Sequence, residues 1–115
     1  MELTKKQCTP CQKGEIPLKG DRLSSLLSQL QGWCIVEERL LEKEYLFSNF
    51  KKALFFTNQV GEIAEKEGHH PDLVLSYGKV KIQIWTHKIG GLSENDFILA
   101  SKIDALPKNQ LLNCE

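Results

Sequence analysis

All three histidines of this chain, His69, His70 and His87, fall within one stretch, Glu65 to Asp96. Histidine is the side chain whose unperturbed pKa, ~6.5, lets it give or take a proton near neutral pH. Two or three of them around one concavity suit a reaction that needs an acid and a base together. Two other readings compete. A His-His pair in a loop is commonly solvated polar surface, and three imidazoles can hold zinc with an open position. Adjacent residues of an extended segment point in opposite directions, which hinders joint ligation and partly hinders joint catalysis. Pro71 must therefore bend the segment if His69 and His70 are to act together. Glu65 and Asp96 stand at the two ends of the stretch as supporting carboxylates, each with a plainer role. Glu65 can be a solvated helix residue, and Asp96 the acidic third residue of a helix begun by Ser93.

Two β-type runs lie between the histidines. Leu73 to Tyr77 is rich in apolar residues, and Val80-Lys81-Ile82-Gln83-Ile84 alternates strictly. A two-residue loop Gly78-Lys79 makes them a hairpin, with Gly first in the turn. That loop sets Tyr77 opposite Val80, Leu75 opposite Ile82 and Leu73 opposite Ile84, so the apolar residues share one face. A slip of one residue would set Leu75 against Lys81. Extended outward, the same register brings His70 opposite His87 and puts Lys81, Gln83, Trp85 and His87 on the other face.

Around this hairpin the chain reads as helix, two strands, helix, two strands, helix. Leu23, Leu26, Leu27 and Leu30 form an apolar stripe from Asp21, closed at Gly32. Trp33–Val36 and Arg39–Phe47 are strands about a Glu37-Glu38 turn, with Lys43 interrupting the apolar face of the second. Ser48 or Asn49 caps a helix from Phe50 to Lys66 or Glu67, ended by Gly68. Its stripe is Phe50, Ala53, Leu54, Phe56, Val60, Ile63 and Ala64, with Phe55 outside it, either simply exposed or a subunit contact. Ser93 caps a last helix that Pro107 stops. The expected fold is α+β, a four-stranded antiparallel sheet with three helices packed on one face in the order α-β-β-α-β-β-α.

At 115 residues the chain has room for one core. Residues 1–19 read as an irregular arm, 20–107 as a single domain and 108–115 as a tail. Formal charge is zero, without the basic excess of a nucleic-acid binder. No run approaches the roughly 20 apolar residues of a membrane span, and no signal segment opens the chain, so a cytoplasmic protein is expected. Of the four cysteines, Cys8 and Cys11 are spaced as half a zinc site or a redox pair. No second such pair exists and no strand precedes them, so surface thiols are the plainer expectation and no metal is expected.

The series Glu65, His69-His70-Pro71, Tyr77, His87 and Asp96, with Thr86-His87 followed by Gly91-Leu92-Ser93-Glu94-Asn95-Asp96, resembles the signature of the pterin-4a-carbinolamine dehydratase family. Gly32-Trp33 and Phe47-Ser48-Asn49-Phe50 are similar to further landmarks, so the likeness runs from Leu23 to Leu106. It implies a cofactor-free hydro-lyase that removes water from 4a-hydroxytetrahydropterin to give quinonoid dihydropterin, recycling the cofactor of an aromatic amino acid hydroxylase. It also implies a homo-oligomer, and an alternative life as a non-catalytic binding module or a coactivator-type dimerisation partner. By this analogy His69 and His87 are the acid and base, and His70 holds the substrate. The strand register instead pairs His70 with His87, which leaves the division of roles open. Gly68, Trp85, Thr86 and Lys88 match the family's substrate contacts. Asp96, if it reaches His87, would orient that imidazole.

Overall fold

In the computed structural model, which describes residues 3–8 and 16–106, the longest element is a helix built from its caps inward. The Asn49 side chain accepts the Lys52 N–H at 2.8 Å, and Gly68 closes the helix with φ 68°, a left-handed conformation that glycine adopts without Cβ strain. This helix, α2 (Phe50–Glu67), buries Ala53, Phe56, Val60 and Ala64. Phe50 and Leu54, expected in the buried stripe, instead join Phe55 on the exposed side. The first helix, α1 (Asp21–Leu27), ends earlier than its leucine spacing suggested. Leu30 still packs against the core from the loop that follows.

The strands are β1 (Cys34–Val36), β2 (Leu40–Leu46), β3 (Asp72–Ser76) and β4 (Lys79–Ile84), all antiparallel in the order β1-β2-β4-β3. Trp33 is buried just outside β1. Leu41, Tyr45, Val80, Ile82 and Ile84 face inward and are buried. Glu42, Glu44, Lys79, Lys81 and Gln83 cover the other face, linked by contacts such as Gln83 to Glu42 at 2.8 Å. The helices therefore lie on one side of the sheet, as the α+β reading required.

The β3–β4 register differs from expectation by two residues. Leu75 pairs with Val80 and Leu73 with Ile82, with Tyr77-Gly78 as the loop. A shift of two preserves the face of every side chain, so the apolar layer is unchanged. Tyr77, however, leaves the strand and is 70 % exposed in the turn. The reason lies in the segment that leaves β2 at Phe47. Gly78 O accepts the Phe47 N–H at 2.8 Å, and a Cβ on Gly78 would stand 2.8 Å from the Phe47 carbonyl oxygen. Only a glycine at that point lets the backbones meet.

Lys43, the polar interruption of β2, is an anchor. Its ammonium donates to Asp104 Oδ1 at 2.9 Å and to the Gln31 carbonyl at 2.8 Å. Trp33 Nε1 and the Tyr45 hydroxyl donate to the same carboxylate. Asp104 is the last residue of α3 (Glu94–Asp104), so this cluster fixes the C-terminal end of that helix to the sheet. At the other end of the chain, Leu3 lies in a 3-10 turn, Leu3–Lys5, and is buried in the core. Cys11, Cys114 and the 108–115 tail lie outside the described residues.

Candidate active site

The left-handed Gly68 that ends α2 turns the chain sharply, and His69 and His70 follow immediately. Beyond β4, Trp85 and Thr86 lead into a 3-10 turn, His87–Ile89, closed by Thr86 N–H to Gly91 O at 2.8 Å. These two connections face each other across a cavity of about 450 Å³, lined by Cys8, Glu67, Gly68, His69, His70, Trp85, Thr86, His87, Lys88 and Asn95. That volume falls within the range of small-molecule sites, roughly 300–1,000 Å³. His87 sits in the turn rather than on an extension of β4, so it is not the cross-strand partner of His70. The cavity, not the ladder, brings the three histidines together.

Asp96 stands behind the cavity wall and is fully buried. Its carboxylate accepts the Ser93 backbone N–H at 2.8 Å, the capping-box contact, and the Thr86 hydroxyl at 2.9 Å. It also takes His69 Nε2 at 2.5 Å. It therefore reaches His69 and not His87. A carboxylate only accepts, so the shared proton rests on Nε2 and leaves Nδ1 of His69 as the nitrogen available to a ligand. Glu65 stands off the cavity on the surface and bonds His70 Nε2 at 2.6 Å. The His87 ring has no hydrogen-bond partner among the described residues, and packs edge-on against Trp85 at 4.4 Å between centroids.

Three lining residues escaped the sequence reading. Cys8, expected as a surface thiol, is half-buried, its thiol within 3.5 Å of the Asn95 carbonyl. Burial, with the negative charge of Glu67 and Asp96, pushes this thiol up to about 12, so it is neutral. Glu67 is raised by burial but lowered further by the Cys8 N–H and by Lys102, leaving its carboxyl below the usual range. Asn95 is buried on the first turn of α3. Glu67 and Asn95 adjoin recognised positions, Gly68 and Asp96, which was the one available hint. Cys8 stood out only for its spacing to Cys11, which gives no hint of the cavity. Among the described residues no cluster of three or more His, Cys, Asp or Glu is arranged to hold a metal ion. No described helix is long and apolar enough to cross a membrane.

Residues 16–106 match the family model described as pterin 4 alpha carbinolamine dehydratase. The chain belongs to that family. A protein of Alkaliphilus metalliredigens, named "Putative pterin-4-alpha-carbinolamine dehydratase", is 52 % identical over 103 residues, covering 89 % of this chain and 93 % of its own length. A relative of the same name from Rubrobacter xylanophilus is 49 % identical over 105 residues, covering 91 % of this chain and 98 % of its own. Among solved structures, the transcriptional coactivator/pterin dehydratase of Brucella melitensis is 31 % identical, with TM-score 0.73 over 77 % of this chain and 96 % of its own. A pterin dehydratase-like protein described as a RuBisCO assembly factor in the alpha-carboxysome shares the fold, at TM-score 0.57 and 20 % identity over 66 % of this chain and 89 % of its own.

Proposed function

We propose that this chain catalyses loss of water from 4a-hydroxytetrahydropterin, giving quinonoid dihydropterin, by histidine acid-base chemistry. The C4a hydroxyl leaves as water once protonated, and departure of the N5 proton lets the C4a–N5 double bond form. Electrons only rearrange within the substrate, so the reaction balances without an oxidant or reductant. The observation that carries this reading is that His69, His70 and His87 line one cavity, beside an indole wall from Trp85 suited to a flat heteroaromatic.

In this reading His69 and His87 exchange the two protons, with His69 held in one tautomer by Asp96. His70, exposed and paired with Glu65, belongs to substrate holding. Gly68, Trp85, Thr86 and Lys88 complete the contacts with the pterin. The physiological role is cofactor recycling in the cytoplasm beside an aromatic amino acid hydroxylase. The test is decay of chemically generated carbinolamine. Purified protein should accelerate it and His87→Ala should remove most of the effect. Equal decay with and without protein would end this reading.

A second reading, a binding module, draws on Phe50, Leu54 and Phe55, large apolar side chains exposed together on α2. The coactivator part of the Brucella protein's name points the same way. This face would seat another copy of the chain or a partner protein. Sedimentation of Phe55→Glu against the wild type tests self-association, and a partner role should survive His87→Ala.

A further inference from the structure

The family match begins at residue 16, yet the segment before it is tied to the cavity. Leu3 is buried in the core, and Lys6 pairs with Glu94, the first residue of α3. Cys8 donates its backbone N–H to Glu67 Oε1 at 3.0 Å. From Pro17 the chain runs beside the end of the connection that carries His87. Leu18 N–H donates to Leu92 O at 2.8 Å, and a Cβ on Gly91 would stand 2.7 Å from the Pro17 side chain. The N-terminal segment thus touches both connections that carry the histidines.

Glu67 is the point where three elements meet. As the last residue of α2 it sits where the helix dipole disfavours a carboxylate. Even so, its side chain is only 8 % exposed, holding Lys102 of α3 at 3.5 Å as well as the Cys8 N–H. The helix dipole gives no reason for a carboxylate held between two partners there. Its position does: one residue before the bend at Gly68 and two before His69.

We infer that Cys8, at the end of the Leu3–Cys8 segment, walls one side of the substrate cavity, and that Glu67 is a positioning residue latching this wall to the bend that carries His69 and His70. The inference rests on the dehydratase reading and deepens it. The wall confines the pterin, so the latch acts on binding more than on the chemical step.

The test uses the full chain in two measurements. In steady-state kinetics on chemically generated carbinolamine, Glu67→Leu should raise KM about tenfold, the scale of one hydrogen bond to a charged acceptor, with kcat within about twofold. Glu67→Gln, which keeps an acceptor for the Cys8 N–H, should stay within about threefold of wild type in KM. In hydrogen exchange on the wild type, amides of residues 3–8 should slow when a dihydropterin with no hydroxyl to lose is added. This second measurement stands even if Glu67→Leu does not fold. A wild-type KM in Glu67→Leu, or exchange indifferent to the dihydropterin it binds, would overturn the inference. A wild-type protein with neither turnover nor pterin binding would instead sink the dehydratase reading, a distinct result.

Discussion

His69 Nε2 and Asp96 Oδ1 lie 2.5 Å apart, joining the bend after α2 to the first turn of α3. The same carboxylate takes the Ser93 N–H and the Thr86 hydroxyl, so one buried group ties both histidine-bearing connections to the helix. Asp96→Asn keeps the volume but offers a single acceptor oxygen and an NH2 that can face His69. The expected outcome is a fall in kcat of about 10²-fold, at the lower end of what a general acid or base supplies, with a smaller change in KM.

The Glu65–His70 pair should behave oppositely. Both side chains are more than half exposed, so solvent screens the interaction. Glu65→Ala is expected to leave thermal stability within about 0.5 kcal/mol and kcat within about threefold. A loss as large as that of Asp96→Asn would give Glu65 a direct part in the reaction.

Cys8 sets an alkaline limit. Its ordinary pKa of 9.0 is pushed to about 12 in the folded chain, chiefly by burial. Between those values the unfolded chain has lost the proton that the folded chain keeps. Stability therefore falls as pH rises from about 9 towards about 12. Urea midpoints across this window should decline less steeply for Cys8→Ala than for the wild type. Tyr45, pushed upward by burial and by Asp104, contributes a fall of the same sign in both proteins.

The Lys43–Asp104 pair is mostly shielded from solvent, with Trp33 and Tyr45 donating to the same carboxylate. Asp104→Leu strands a lysine and two donors at the end of α3. It should cost about 3 kcal/mol, read as a lower thermal midpoint. Adding Lys43→Met should recover part of that loss, because the uncompensated charge is then gone.

Glu37 and Glu38 both take left-handed conformations, φ 52° and 56°, in the β1–β2 turn. Side chains other than glycine and asparagine resist that region. Glu38→Gly should raise stability by about 0.5–1 kcal/mol, relief of strain outweighing the entropy of an added glycine. Denaturant unfolding measures it, and no change in turnover is expected.

Much of this architecture was legible along the chain, because local physics dictates it. The Asn49 cap, the Gly68 stop, the Ser93–Asp96 start of α3 and the strict alternation of β4 each act over a few residues. Side-chain parity likewise fixed the buried face of the hairpin, and survived a two-residue error in register because the pleat repeats every two. The order of histidines and carboxylates, with its family likeness, named the candidate residues.

Pairings across long sequence separations were decided only by the folded chain, since no local rule links residues whose elements meet through packing. Tertiary contact chose His69 over His87 for Asp96, and Asp104 as the partner of Lys43. It also carried Cys8 from a polar leader into the cavity wall, where Glu67 receives its N–H. Each depends on where α3 comes to rest against the sheet, α2 and the N-terminal segment, and that placement is set by burial of the whole apolar layer at once.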